Sequence, residues 1–182
     1  MNTANTLFFI YGPPGSGKST LGQRLAGLLD LPYIDLDARI ESAAGMNIPA
    51  IFGAEGERGF RARERAALEQ VLHEGRGGAA LGGGALLDPV CRSLAESAGG
   101  VLCLNASRQV LLERLALEMG TRPLLGSDVN WRERLENLLA VRAAHYASFT
   151  HRLDTSALEP EAAAREAQLL LGAWRVSGMG AG

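Results

Sequence analysis

The segment Gly12–Ser19 carries the residues of this 182-residue sequence that are most able to do chemistry. It reads Gly-Pro-Pro-Gly-Ser-Gly-Lys-Ser and satisfies the pattern G-x-x-x-x-G-K-[ST]. Glycines at this spacing let backbone N–H groups converge on phosphate oxygens, and a helix beginning near Gly17 adds its positive end to the same anion. Lys18 would reach the β- and γ-phosphates, and the Ser19 hydroxyl would ligate Mg²⁺. The motif therefore predicts a bound nucleoside triphosphate.

Two carboxylates, Asp35 and Asp37, stand where a second predicted strand ends. Ligands of an open α/β sheet gather at the carboxyl ends of its strands, so both side chains should point toward the phosphate loop. One of them can hold Mg²⁺ through water while the other accepts a proton from a hydroxyl nucleophile. The alternative, in which Asp37 is the N-cap of a helix over 38–44, is compatible with either role.

Two arginines lie on the inward sides of predicted helices. Arg142 falls within the stripe of a helix predicted over 130–146, and Arg61 follows Phe60 on the inward side of another. An unpaired buried charge is very costly, so each guanidinium needs an anionic partner. A substrate carboxylate, held by both arginines, would supply one. The alternative is an internal salt bridge, for which Glu64 is suitably spaced from Arg61.

Two loops complete the candidate site. Gly82-Gly83-Gly84 ends a predicted strand, where bare backbone would let a substrate lie against the sheet edge. Residues 120–126 join two predicted helices and include Arg122. A mobile segment of this kind can close over phosphates and bring its arginine to the transferring phosphoryl group. The alternative is a plain interhelix loop with a solvated arginine.

Composition narrows the class of protein. Apolar residues make up 47% and charged residues 21%, as in a globular domain, and the net charge of −2 with no basic run argues against nucleic-acid binding. No stretch approaches the ~20 apolar residues that a membrane helix needs. The two cysteines show no metal-ligand spacing and fit a reducing cytosol, so we expect a cytoplasmic protein.

Strands and helices alternate along the chain. Apolar runs predict strands over 7–11, 32–35, 79–81, 101–104 and 151–154. Helical patterns follow every strand except 79–81, and they include those over 57–73, 107–119 and 160–171. This alternation predicts an α/β fold, with a five-stranded parallel sheet flanked by helices and a lid near 120–128. We expect one domain over 1–175. The glycine-rich residues 176–182 would form either a frayed terminus or the start of a linker.

The ordered set of these motifs resembles the shikimate kinase family, whose members have the nucleoside-monophosphate-kinase-like P-loop fold. The resemblance runs from about Phe8 to Thr155. Only the phosphate loop is specific by itself, but the combination is specific. The matching residues are the phosphate loop, Asp35-Leu36-Asp37, Ile40-Glu41, Ile51-Phe52, Gly56-Glu57, Phe60 to Glu64, Gly82-Gly83-Gly84, Arg122 to Leu125, and Arg142 with Tyr146.

The resemblance implies a role for each matching residue. ATP would be contacted by Gly15, Ser16, Gly17, Lys18, Ser19, Thr20, Arg114, Arg122 and Thr155. Shikimate would be held by Asp37, Arg61, Gly83, Gly84 and Arg142, with the two arginines on its carboxylate. Mg²⁺ would be held by Ser19 and Asp35. Catalysis would depend on Lys18, on Asp37 as the base for the 3-hydroxyl, and on Arg122 as the lid arginine.

The activity implied is transfer of the γ-phosphoryl group of ATP to the 3-hydroxyl of shikimate, which serves aromatic amino-acid synthesis. Alternatives are a related small-metabolite kinase, such as a gluconate kinase, and a ligand-sensing module without kinase activity. The presence of Lys18, Asp37 and Arg122 favours chemistry over sensing. We expect a monomer, and the glycine-rich tail is also compatible with a domain of a fused pathway enzyme.

Overall fold

One parallel sheet forms the centre of the molecule. A computed structural model of the chain describes residues 6–118 and 130–178. The strands are β1 (Thr6–Tyr11), β2 (Tyr33–Asp35), β3 (Arg76–Ala80), β4 (Gly100–Asn105) and β5 (His151–Asp154). They lie in the order β2-β3-β1-β4-β5, and every pairing is parallel. The predicted five-stranded parallel sheet is confirmed.

Helices cover both faces of the sheet. They are α1 (Lys18–Leu28), α2 (Leu36–Ala44), α3 (Ile48–Glu74), α4 (Pro89–Ala98), α5 (Arg108–Glu118), α6 (Trp131–Ala147) and α7 (Pro160–Gly178). Among the described residues, no helix is long and apolar enough to cross a membrane.

The alternating side chains of β1 divide the core into two layers. Leu7, Phe9 and Tyr11 face a layer that α2, α3, α4 and the end of α6 complete. Phe8 and Ile10 face the opposite layer, formed with α1 and α7. Because β1 is central and buried on both faces, its sequence from Leu7 to Tyr11 is continuously hydrophobic rather than alternating. Its carboxyl end therefore delivers the phosphate loop at the middle of the sheet edge.

Two helical boundaries differ by several residues from the sequence predictions. Helix α3 begins at Ile48 rather than at residue 57, and it bends at Gly56, where the backbone leaves helical geometry. The segment before that bend is capped by Asn47, whose side chain accepts a hydrogen bond from the Ala50 N–H group. Helix α7 continues to Gly178, into the segment predicted to be unstructured, while residues 179–182 lie outside the described part.

Helix α4 was not predicted from the sequence. Its N-cap is Asp88, whose carboxylate accepts a hydrogen bond from the Val90 N–H group at 2.8 Å, and Pro89 occupies its first turn. Cys91 and Ala95 are its buried residues. The Asp-Pro start and this spacing of small apolar residues were the available signals, but two small residues make a weak stripe.

Strand β3 has few β-branched residues because it lies against aromatic rings. A Cβ placed on Gly78 would lie 2.0 Å from the Phe8 Cζ atom, so the ring of β1 occupies the space of a side chain on its neighbour. The Phe8 ring is 3% exposed and cannot swing into solvent. Glycine at position 78 of the sequence Arg-Gly-Gly-Ala-Ala is therefore a packing requirement of this strand.

This packing predicts the effect of Gly78→Ala. The added methyl group forces the Phe8 ring away, and overpacking of this kind costs roughly 1–3 kcal/mol of unfolding free energy. The matched control is Gly27→Ala on the exposed side of α1, where a Cβ meets nothing within 4 Å. That change should stabilise by roughly 0.5–1 kcal/mol. Urea unfolding of both variants measures the difference, and equal stabilities would contradict the close approach of Phe8 to β3.

Candidate active site

The phosphate loop folds back on one of its own carbonyl groups. The Ser16 hydroxyl donates to the Pro13 carbonyl oxygen at 2.8 Å, and Lys18 Nζ donates to the same oxygen at 2.9 Å. Gly17 is the N-cap of α1 with φ 89°, and no side chain bonds to the first-turn N–H groups there. These N–H groups therefore present a positive helix terminus toward the loop, as phosphate binding requires.

Asp35 connects the phosphate loop to the second strand. Its Oδ2 atom accepts a hydrogen bond from Ser19 Oγ at 3.0 Å, so the two predicted Mg²⁺ ligands lie side by side. Its Oδ1 atom accepts from the Ala38 N–H group at 3.2 Å, which makes Asp35 the N-cap of α2. The alternative that Asp37 caps this helix is therefore wrong, because Asp37 lies in the first turn. Burial and the adjacent Asp35 raise the pKa of Tyr33 to about 12.

The triple glycine lies beneath the predicted substrate residues. A Cβ on Gly82 would lie 2.8 Å from Glu64 Oε1 and 3.2 Å from Asp37 Oδ1. A Cβ on Gly84 would lie 2.6 Å from an Arg61 guanidinium nitrogen. The side chains that surround this turn therefore pack directly against bare backbone. Asp37, Arg61 and Gly84, which are far apart in sequence, meet here.

Glu64 is a buried carboxylate that the sequence did not assign to the site. It pairs with Arg61 at 2.6 Å through Oε2, so the internal salt bridge kept open for Arg61 is present. Its side chain is 5% exposed, and Oε1 is buried without a hydrogen-bond partner among the described residues. Burial raises the pKa of Glu64, while Arg61 opposes that shift. A buried oxygen aimed at Gly82 is suited to a ligand hydroxyl or an ordered water.

The Gly83 carbonyl oxygen receives three donors. Tyr146 donates to it at 2.7 Å, Arg142 at 3.1 Å and Tyr11 at 3.2 Å. Helix α6 thus fastens the glycine turn, and the Arg142 guanidinium is held at its edge. Among the described residues Arg142 makes no ion pair with a carboxylate, so the anion predicted for it is not supplied by the described part of the chain.

The residues predicted to contact the nucleotide base lie on the other side of the phosphate loop. Arg114 of α5 donates to Thr155 Oγ1 at 3.1 Å and to the Thr155 carbonyl oxygen at 2.7 Å. The Thr155 hydroxyl in turn donates to the Ser16 carbonyl oxygen at 3.0 Å. Both residues therefore adjoin the phosphate loop, at the carboxyl end of β5. Thr20 is an exposed residue of the first turn of α1.

A cavity of about 490 Å³ adjoins the phosphate loop between β4, β5, α5 and α6. Pro13 and Tyr146 are among the residues that line it, so it opens onto the cleft described above. The predicted lid residue Arg122, with residues 119–129, lies outside the described part of the chain.

Two residues of this network, Tyr11 and His145, had no sequence signal. Tyr11 ends an apolar strand and looks like an ordinary core residue, and His145 stands alone on a helix. The hydrogen bond between them joins residues that are 134 positions apart. Glu64 did carry a signal, since a carboxylate lay on a buried helix face. It was interpreted only as a partner for Arg61.

Comparison with known proteins gives one family. The family model for shikimate kinase matches residues 14–171. The shikimate kinase of Thioalkalivibrio sulfidiphilus is 43% identical over 144 residues, which cover 79% of this chain and 75% of that protein. A shikimate kinase of Francisella tularensis subsp. holarctica is 46% identical over 141 residues, 77% of this chain and 79% of that protein.

Solved structures agree with the sequence relatives. The shikimate kinase of Acinetobacter baumannii in complex with shikimate is 33% identical, with a TM-score of 0.81 over 91% of this chain and 93% of that chain. A gluconokinase from Sinorhizobium meliloti is 18% identical with a TM-score of 0.57, over 94% of each chain, which is a likeness of fold alone. The family match over most of the sequence, together with the phosphate loop and the glycine turn, shows that this chain belongs to the shikimate kinase family.

Proposed function

We propose that this chain transfers the γ-phosphoryl group of ATP to the 3-hydroxyl of shikimate. The observation that carries the proposal is the meeting of two sites at one sheet edge. A Cβ on Gly83 would lie 3.1 Å from the Gly12 carbonyl oxygen, so the glycine turn touches the start of the phosphate loop. An acceptor lying on that turn would be adjacent to a triphosphate in the loop. Phosphoryl transfer depends mainly on such positioning and on neutralising charge.

The nucleotide would be held by the phosphate loop and the first turn of α1. The N–H groups near Gly15, Ser16 and Gly17 would donate to phosphate oxygens, and Lys18 would exchange its bond to Pro13 for the β- and γ-phosphates. Arg114 and Thr155 would form the base-binding side, since they are already joined beside the loop.

Ser19 and Asp35 fit a magnesium ion. A hydroxyl and a carboxylate are hard oxygen donors, and their separation of 3.0 Å would let a small ion contact both, directly or through water. Mg²⁺ usually keeps several waters and takes few protein ligands, so two suffice when phosphates supply the rest. When bound, it would neutralise charge on the phosphates.

The acceptor would lie over residues 82–84. Its carboxylate would bind Arg61, which packs against Gly84, and Arg142, which donates to the Gly83 carbonyl oxygen. Asp37 would accept the proton of the attacking hydroxyl. The buried Oε1 of Glu64 would accept a hydrogen bond from another hydroxyl or from a water bound to it.

Arg122 and the lid near 120–128 remain part of the proposal, although they lie outside the described residues. The role proposed for Arg122 is to stabilise charge on the transferring phosphoryl group, as the family resemblance implies. The single domain over 1–175, the tail beyond it and the monomeric state also remain predictions.

Arg61→Ala and Arg142→Ala test the acceptor side. Each removes a charge-assisted hydrogen bond to the carboxylate, and we expect the KM for shikimate to rise by roughly 10- to 100-fold while the KM for ATP changes little. Coupled measurement of ADP release gives both constants. Arg65→Ala is the matched control, because Arg65 lies on the same helix and its ion pair among the described residues is with the exposed Glu69. A wild-type rate of ADP release that is independent of shikimate would refute the proposed function itself.

Asp37→Asn tests the base. The amide keeps the size of the side chain but cannot accept the proton, so kcat should fall by roughly 10²- to 10⁴-fold. The KM for ATP should stay within a factor of about two, because the phosphate loop is untouched. Asp88→Asn, at the N-cap of α4, controls for the loss of a carboxylate elsewhere. If Asp37→Asn retained wild-type kcat, general-base catalysis by Asp37 would be excluded.

A further inference from the structure

The phenol of Tyr11 stands between the glycine turn and helix α6. Its side chain is fully buried, and its hydroxyl lies 3.2 Å from the Gly83 carbonyl oxygen and 3.1 Å from His145 Nε2. The His145 ring meets the Tyr11 ring edge to face, with centroids 5.7 Å apart. A tyrosine hydroxyl has one proton, so it can donate to only one of these two atoms at a time.

The Gly83 carbonyl oxygen has fewer lone pairs than donors around it. A carbonyl oxygen has two lone pairs, and Arg142 N–H and the Tyr146 hydroxyl already approach it at 3.1 and 2.7 Å. Arg142 can only donate, and the Tyr146 bond is the shortest of the three. Tyr11 is thus the third and most distant donor at a crowded oxygen. The Tyr11 hydroxyl is better placed to donate to His145 Nε2, provided that this nitrogen is unprotonated.

The surroundings of His145 favour the unprotonated ring. Charged and titratable groups face it from three elements: Tyr11 on β1, Arg92 and Glu96 on α4, and Arg142 and Tyr146 on α6. Burial and the two arginines lower the pKa of His145 below its ordinary 6.5, and only Glu96 opposes them. At neutral pH the ring is therefore neutral and can accept at Nε2.

We propose that His145 is a positioning residue for acceptor binding. By accepting the hydrogen bond of the Tyr11 hydroxyl, it leaves the Gly83 carbonyl oxygen to Tyr146 and Arg142. It thereby holds the Arg142 guanidinium at the glycine turn. The inference rests on the proposed function, in which Arg142 binds the acceptor carboxylate. His145 touches no reacting group and acts only through Tyr11 and Gly83.

Protonation of His145 reverses the direction of its hydrogen bond with Tyr11. Below its pKa, His145 carries a proton on Nε2 and must donate to Tyr11, whose own proton then turns to Gly83 as a third donor. Arg142 is then displaced or reoriented, and the positive charge on His145 also repels Arg92 and Arg142. The KM for shikimate should therefore rise as pH falls through the lowered pKa of His145, by about 3- to 10-fold, which is the factor for one ordinary hydrogen bond.

Variants at His145 separate this role from packing. His145→Leu removes the hydrogen-bond acceptor of the Tyr11 hydroxyl, so the KM for shikimate should rise by about 3- to 10-fold at pH 7.5, with the KM for ATP unchanged. His145→Gln keeps a neutral acceptor and should restore a KM near that of the wild type, without the additional rise at low pH. The difference between the pH profiles of the wild type and His145→Gln isolates His145 from the titrations of ATP and Glu64.

The double variant Tyr11→Phe/His145→Leu is the sharpest test. Tyr11→Phe deletes the third donor, so the double variant should recover the KM of Tyr11→Phe alone, although the leucine is still present. If the double variant keeps the raised KM of His145→Leu, the effect is one of packing and the proposal fails. An unchanged KM in His145→Leu overturns it as well. Should His145→Leu not fold, the comparison of wild type with His145→Gln still decides.

A measurement that needs no activity separates this inference from the proposed function. Nitrogen-15 NMR of the three histidines, with His145→Gln used to assign the signal, reports which ring nitrogen carries the proton. We expect Nδ1–H with an unprotonated Nε2 at pH 7.5. An Nε2–H tautomer would overturn the inference whether or not the chain phosphorylates shikimate.

Discussion

Close approach of bare backbone at residues 82–84 is the constraint on which the rest of the cleft depends. Side-chain atoms of Asp37, Arg61 and Glu64 lie 2.6–3.2 Å from the positions that Cβ atoms on Gly82 and Gly84 would take, and the Gly12 carbonyl oxygen lies 3.1 Å from a Cβ on Gly83. A side chain on Gly82 or Gly84 would therefore force the acceptor-site residues to shift. Because parallel strands end at one edge, β1 and β3 place both loops there without a long connection.

Charge in the cleft is arranged so that some of it remains for a ligand. Arg61 is largely balanced by Glu64 and Glu57, and the cost of burying Glu64 is offset by that pair. Arg142 is held instead by a neutral carbonyl oxygen, which orients the guanidinium without cancelling its charge. Arg61 is therefore paired within the protein, whereas Arg142 keeps a charge that an anionic ligand can balance.

Most of the fold could be predicted from the sequence alone, because the strongest signals in the sequence are local. The phosphate loop, the buried strand before it and the Asp-Leu-Asp turn are each contained in a few residues, and all occupy their predicted places. Helix α4 and the start of α3 were missed because small residues and glycines hide their periodicity. The glycine at position 78 of β3 could not be explained without Phe8, whose ring comes from a neighbouring strand. Long-range packing determines these features, and no local pattern records it.

The polar network around Gly83 is the part of the site least accessible to sequence reasoning. Tyr11 reads as a core residue, His145 as a lone histidine, and a glycine carbonyl has no side chain to attract attention. Their roles follow only when donors and lone pairs are counted at one oxygen. Two lone pairs cannot accept fully from three donors, so one hydroxyl donates elsewhere. His145 Nε2 lies within hydrogen-bond distance of the Tyr11 hydroxyl. The position of Arg142 at the glycine turn is thus tied to the protonation of a residue that never touches the acceptor.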